Sequence, residues 1–399
     1  MGLSISAVAC TEKVGGDFVT DPPEVGGSGS GNPIYDAGTY REKAHAVFQH
    51  IVTHYGVPGT DLFLEQYPAQ AGDNPVAYFW SHSTLYTGAV LLQSLGYQDE
   101  SIRRVLDGIE VYWDAARSPV GFQSYPRAYG GGDRFYDDNA IAGIDDMLAY
   151  EVTGDVKYLD RAEAALRFTM SGESDDQGGG LFWCEQNRMN DPASPNTVKA
   201  TNSSALAVEL ALGVYREREN AEYLDFAQRV YQWIKSRMQD PADGTYWNDV
   251  HAHTGVVNER KWTYNSGAMI TNAILFYEVL GDPAYLESAK ADAAASYAYF
   301  TVEVPGLGRF FPDHDPWFTA VLFRGYLDVY RHDPNPAYIH TLIANVDHAW
   351  KSARTANGFF LEDWAGRVRG RERWLINQTC MVEIYARIAQ FKGEVANEN

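Results

Sequence analysis

Cysteine is scarce in this chain of 399 residues, which holds three: Cys10, Cys184 and Cys380. An odd, widely spaced set cannot form a disulfide framework, and neither a C-x-x-C nor an H-E-x-x-H zinc motif is present. His45, His50 and His54 fall at helical spacing, but no carboxylate or cysteine is placed to join them, so they read as a solvated helical face. No metal and no cofactor is expected. Basic residues are also few, with 32 Lys and Arg against 53 Asp and Glu and a net charge of −21. No cluster of Lys or Arg interrupts that acidity, which excludes the basic footprint of a nucleic-acid groove and disfavours polyanionic substrates such as pectins or heparin. Past the first ten residues no stretch is long and apolar enough to span a membrane. Strong strand runs are lacking too, which leaves helical periodicity as the organising pattern.

Aromatic side chains, by contrast, are abundant: 14% of the chain, including 26 Tyr and 10 Trp. Flat rings with polar edges stack on sugar faces, so part of this supply suits a carbohydrate cleft, while any single Tyr reads as a helix–helix contact. Repetition is the clearest positive signal. Four segments share one shape: a helix of small residues, a Gly-Asp turn or its equivalent, then Tyr-Leu opening a second helix. The first runs from Asp138-Asn139-Ala140 through Thr153-Gly154-Asp155 to Tyr158-Leu159. The second and third run from Thr201-Asn202-Ser203 through Glu219-Asn220 to Tyr223-Leu224, and from Tyr264-Asn265-Ser266 through Gly281-Asp282 to Tyr285-Leu286. A looser fourth runs from Trp317-Phe318-Thr319 through Asp333-Pro334 to Tyr338-Ile339.

A period of roughly 55–65 residues predicts stacked αα-hairpins with a shared core. The first helix of each pair is small and apolar, which suits an inner ring; the second carries a charged stripe, which suits an outer ring. Further helices are expected at residues 39–55, 83–95 and 100–116, with 379–391 closing the inner ring. Six hairpins predict an all-α protein, an (α/α)6 barrel forming one domain over residues 35–393, followed by a tail at 394–399. An open solenoid is the alternative, but it would call for hydrophilic capping helices at both ends. The Gly- and aromatic-rich loops all precede inner helices, so they should collect on one face of the barrel.

The first ten residues end in the small-residue run Ser6-Ala7-Val8-Ala9-Cys10, which looks like the last part of a bacterial lipoprotein signal, whose Cys is acylated. Residues 11–34, with Pro22-Pro23 and a Gly/Ser run at 26–31, cannot bury a core and read as a flexible tether. The expectation is an extracytoplasmic catalytic domain held to a bacterial cell envelope by lipid on Cys10, touching membrane only through that anchor. A disordered leader is the plainer alternative.

The candidate chemistry lies where the loop Gly130-Gly131-Gly132 runs into a helix at Tyr136-Asp137-Asp138-Asn139-Ala140. Paired carboxylates are the minimum equipment for cleaving a glycosidic bond: one attacks or activates water, the other protonates the leaving oxygen. At a first turn both side chains can lean into one cleft, and the free N–H groups there favour keeping one carboxylate ionised. The plainer reading is an Asp cap followed by a second acid that complements the helix dipole. Trp183 follows Gly178-Gly179-Gly180, whose lack of side chains would let the backbone bend close to a ligand, and is a candidate sugar platform. Tyr264 and Asn265 open an inner helix as Asp137 and Asp138 do, and Asn202 is their equivalent in the repeat. All three are candidates for binding sugar hydroxyls, with an N-cap as the alternative for Asn265.

Five stretches, in matching order and spacing, give the chain a specific resemblance: Tyr136-Asp137-Asp138-Asn139-Ala140, Gly178-Gly179-Gly180-Leu181-Phe182-Trp183, Lys199-Ala200-Thr201-Asn202, Trp262-Thr263-Tyr264-Asn265-Ser266-Gly267 and Glu362-Asp363-Trp364. Together they resemble glycoside hydrolase family 76, the α-1,6-mannanases. The resemblance implies an (α/α)6 fold and a retaining, endo-acting hydrolase of α-1,6-mannosidic linkages, monomeric and working on an α-mannan polysaccharide. It implies Asp137 as nucleophile and Asp138 as acid/base, with Asn139, Trp183, Asn202, Tyr264 and Asn265 around the substrate. Two other classes stay open: a surface glycan-binding lipoprotein without catalysis, and a transglycosylase or another (α/α)6 sugar enzyme.

Overall fold

The computed structural model describes residues 37–186 and 193–394; Cys10, the predicted tether and most of the predicted tail lie outside the described residues. The described chain forms an outer set of helices, α1 (Tyr40–Tyr55), α3 (Glu100–Gly108), α5 (Val156–Met170), α7 (Ala221–Arg237), α9 (Pro283–Phe300) and α11 (Pro336–Ser352). These alternate with an inner set, α2 (Phe79–Ser94), α4 (Tyr136–Thr153), α6 (Thr201–Arg218), α8 (Thr263–Leu280), α10 (Pro316–Tyr330) and α12 (Leu375–Phe391). The division follows composition. Along α6 every residue from Thr201 to Val208 is buried, whereas α5 buries a stripe of Leu159, Ala162, Ala165, Leu166 and Thr169. Each inner helix packs on the next in chain order, and α12 closes the ring against α2 while also packing on α1. The fold is the (α/α)6 barrel that the repeats predict.

The repeated turns have a local cause. Gly154, Glu219 and Gly281 end α4, α6 and α8 in left-handed backbone at φ 69°, 53° and 70°. The next residue, Asp155, Asn220 or Asp282, then caps the outer helix by accepting the N–H of Lys157, Glu222 or Ala284. One residue ends the inner helix and its neighbour starts the outer one, so the chain reverses in two residues. Because outer helices run back between inner ones, all six inner N-termini open on the same face.

Three boundaries differ from those expected. Helix α2 begins at Phe79 and α12 at Leu375, each four residues early, because aromatic and apolar residues fill their first turns. Helix α3 ends at Gly108, where a 3₁₀ turn over Ile109–Tyr112 leads into β1 (Trp113–Asp114), paired with β2 (Gly121–Phe122). Short strands, not foreseen from periodicity, also stiffen other loops. In one sheet β3 (Val198–Ala200), β4 (Trp247–His251) and β5 (Val257–Lys261) pair antiparallel in that order; β6 (Val302–Val304) pairs with β7 (Gly308–Phe310) elsewhere. The three-stranded sheet leads into α6 and α8, on the face where the inner helices begin. Among the described residues no helix is long and apolar enough to cross a membrane.

Candidate active site

The second residues of five of the six inner helices gather on that face: Trp80 on α2, Asp137 on α4, Asn202 on α6, Tyr264 on α8 and Trp317 on α10. Their shared position gives them a shared direction, which brings residues far apart in the chain together. Asp137 is the hub. Its Oδ1 accepts the backbone N–H of Asp138 at 3.0 Å, and its Oδ2 accepts Trp183 Nε1 at 3.0 Å and Asn202 Nδ2 at 2.6 Å. Asp138 differs. No hydrogen bond reaches its carboxyl among the described residues.

Burial raises both carboxyls above the usual range, but the three donors pull Asp137 back, while Asp138 is raised further by the neighbouring charges of Asp137 and Asp133. The pair is therefore unequal: Asp137 is the one held as an anion and Asp138 the one held as an acid. Two carboxyls pushed apart in this way can divide attack and proton donation between them.

The other predicted residues fall into two groups. Trp183 and Asn202 join the pair, but by donating to Asp137. Trp183 also sets its ring edge-on to Phe135 at 5.0 Å and keeps part of its surface open. Tyr264 lies flat on Phe318 at 4.1 Å and 10°, half-buried on the same face. Two residues do not line the surface. Asn139 is fully buried: its amide accepts Phe122 N–H at 2.6 Å and donates to Phe122 O and Phe135 O at 2.9 and 2.8 Å. One residue past Asp138 the helix has turned about 100°, away from the cleft and onto β2. Asn265 is likewise fully buried, and neither end of its amide finds a partner among the described residues; it is not the N-cap either, since that position is Trp262. Gly179 and Gly180 serve packing within the protein: a side chain at Gly180 would meet the ring of Trp233 on α7 at 2.5 Å.

Several neighbours escaped the sequence reading. Trp80 stands edge-on to Trp374 at 5.0 Å and near Trp317 at 6.4 Å, giving an aromatic cluster at the starts of α2, α10 and α12. Behind it, Arg371 pairs with Glu362 and Asp315, fastening the loops that lead into α10 and α12. Asp315 and Arg371 are both in left-handed backbone, at φ 48° and 42°. Glu362 lies in one of the five stretches of the resemblance, but nothing in the sequence tied it to Arg371 or Asp315. Asp145 and Asp146 are in the barrel wall, the first bonded to Ser83 and Thr87 and the second to Arg161.

Residues 39–393 match the model of glycosyl hydrolase family 76. The structure of a family 76 glycoside hydrolase from a bovine Bacteroides thetaiotaomicron strain is similar at a TM-score of 0.79 and 28% identity, covering 90% of this chain and 79% of that one. An inactive variant of a Salegentibacter α-1,6-mannanase, bound to α-1,6-mannotriose, shares the fold at a TM-score of 0.69 and 20% identity, covering 88% and 99%. Among curated proteins, the mannan endo-1,6-alpha-mannosidase DCW1 of Saccharomyces cerevisiae is 26% identical over 179 residues, 41% of this chain and 38% of the yeast protein. Two other fungal relatives match over 29% and 33% of their length, so the chain spans about a third of the curated relatives it matches. With the family match running along nearly the whole helical ring, the chain belongs to glycosyl hydrolase family 76.

Proposed function

We propose that this protein is a retaining, endo-acting glycosidase that hydrolyses α-1,6-mannosidic linkages in mannan. The observation that carries this reading is the unequal pair: Asp137 with three donors, Asp138 with none among the described residues, side by side at the mouth of the barrel. In the first step Asp137 attacks the anomeric carbon while Asp138 gives its proton to the departing glycosidic oxygen, leaving a covalent mannosyl-enzyme. In the second, Asp138 takes a proton from water, whose oxygen displaces Asp137 and restores the starting state. Trp183 and Asn202 spread the charge of Asp137 as it leaves. Trp80, Tyr264 and Trp374, each partly open, supply flat faces for neutral sugars, with Trp317 buried behind Trp80, in keeping with the net charge of −21.

The relatives support the substrate. The yeast proteins are named as mannan endo-1,6-alpha-mannosidases, and the mannotriose complex was obtained with a variant in which two adjacent aspartates are asparagine. A polymeric substrate of this kind lies outside the cytoplasm, which agrees with a lipid anchor on Cys10 and a tethered, monomeric barrel. Incubation with unbranched α-1,6-mannan is the test. Oligosaccharides of several lengths, released first as the α-anomer, are expected. Intact mannan in the presence of folded protein would leave the glycan-binding reading in its place, and a first-formed β-anomer would overturn retention.

A further inference from the structure

A third carboxylate stands beside the pair. Residues 133–135 run extended: Ser124 N–H donates to Asp133 O at 2.8 Å, Glu185 N–H to Arg134 O at 2.9 Å, and Phe135 bridges Cys184. In extended chain successive side chains face opposite ways. Arg134 and Tyr136 are buried, Arg134 against Phe168 and paired with Glu185. Phe135 turns the other way, onto Trp183, whose indole holds Asp137. Asp133 shares the Phe135 side, so its carboxylate is on the cleft side of the segment that leads directly into the pair. It is fixed there by three contacts, Arg134 N–H at 2.8 Å and Gln186 N–H at 3.2 Å to each oxygen.

We propose that Asp133 is a positioning residue of this reaction: its negative charge, set beside Asp138, keeps Asp138 in the acid form until the glycosidic oxygen takes the proton. The proposal rests on the reading of Asp138 as acid/base. The charged groups around the two are few. Asp138 faces Asp137 from its own helix and Asp133 from the extended segment. Burial raises the Asp133 carboxyl, while the Arg134 and Gln186 N–H groups and the Cys184 thiol favour its ionised form; it also faces Glu185, whose charge is taken up by Arg134 and Arg117. With no hydrogen bond to Asp138 among the described residues, burial and charge alone set its proton affinity. That is where a nearby anion counts most.

Asp133→Asn removes the charge and keeps an oxygen to accept the Arg134 and Gln186 N–H groups, so the fold is expected to hold. Should it not, Asp133→Ser keeps a hydroxyl acceptor and carries the same comparison. The alkaline limb of kcat/KM on linear α-1,6-mannan should move down by roughly one pH unit, a loss of about tenfold above the limb, while Asp133→Glu keeps the wild-type profile. A ¹³C-carboxyl titration of Asp138, assigned from the Asp138→Asn spectrum, should show the same displacement without any turnover. Superimposed Asp138 titrations in wild type and Asp133→Asn overturn the proposal, as does an equal loss of activity at every pH. If wild-type protein leaves mannan intact, the functional reading falls, and the titration still decides whether Asp133 controls the protonation of Asp138.

Discussion

Asp137 and Asp138 differ by one position and by every hydrogen bond they make, and that contrast fixes what single substitutions should do. Asp138→Asn removes the proton donor, so turnover of mannan should fall by about 10²–10⁴-fold. Azide should restore part of it on a substrate with a good leaving group, because the first step then no longer needs the acid. Asp137→Asn removes the nucleophile, and azide should not return that variant to the retaining pathway. Turnover within a few fold of wild type in either variant would show the roles to be misassigned. Asn202→Ala tests the support instead. A hydrogen bond to a charged group is worth about 1.5–3 kcal/mol, so kcat should drop roughly 10–100-fold. The sign of the pH effect follows: Asn202 stabilises the ionised form of Asp137, so its loss raises the proton affinity of Asp137 and moves the acidic limb of the kcat/KM profile upward. An unshifted limb would mean that Asn202 acts on the sugar rather than on the carboxylate.

At the scale of elements, the fourth residue of an inner helix recurs as a fastener. Asn139 on α4 takes both the N–H and the C=O of Phe122; Gln378 on α12 does the same for Phe360, at 2.8 and 3.0 Å; Ser204 on α6 holds Leu181 N–H at 3.0 Å. Each ties a loop on the cleft face to an inner helix. Asn139→Ala should leave two buried backbone groups of Phe122 unsatisfied, costing about 2–4 kcal/mol in denaturant unfolding; a change within measurement error would show that β2 is held by other means. This device also marks the limit of what the sequence discloses. The hairpin repeat was legible because its turns are local chemistry: Gly154 then Asp155, Gly281 then Asp282. The pair was legible because it stands where a glycine loop enters a helix, within a motif whose order and spacing match the other four stretches of the resemblance; acids at a helix start alone would have read as a cap. What Asn139 touches was not, because one further step around the helix decides between cleft and core, and that depends on where β2 lies. The same holds for β3 pairing with β4 across some fifty residues, and for Trp80 meeting Trp374 across nearly the whole chain. Asp133 left a faint trace in the alternation of Asp133, Arg134, Phe135 and Tyr136, readable only once the segment is known to be extended.

For the whole molecule, the barrel axis is closed by charge as well as by apolar packing. Arg324 on α10 pairs through both nitrogens with Glu383 on α12, at 2.5 and 2.9 Å, and Arg387 adds a third contact at 2.7 Å. Burial alone would raise Glu383, but the Arg324 and Arg387 charges overcome it and hold the carboxyl at about 2. Asp145 on α4 and Glu209 on α6 face the same Arg324 after its charge has been engaged. For each, burial is the largest influence and lifts the carboxyl to about 7, against the pull of Arg324. The consequences for stability have opposite signs. Glu383 binds its proton less readily in the fold than in the unfolded chain, so its contribution is present above about pH 4.5 and is lost as pH falls toward 2. Asp145 and Glu209 bind theirs more readily in the fold. Between about pH 4.5 and 7 the native state holds protons that the unfolded chain has released, so stability declines as pH rises through that window. Partly buried His50 and buried His82, both lowered by burial to about 4, act the other way as pH rises from about 4 to 6.5. The raised carboxyls, Asp137 and Asp138 among them, outnumber them, so the barrel should melt at a higher temperature near pH 5 than near pH 7.5. Asp145→Asn, whose amide can still meet Ser83 and Thr87, should make the decline shallower by removing one of the contributing groups. Thermal unfolding followed by circular dichroism at several pH values decides it. A melting temperature that rises toward pH 7.5, or a slope that Asp145→Asn leaves unchanged, would show that these carboxyls are ionised within the barrel and that Arg324 balances more negative charge than its single bidentate pair suggests.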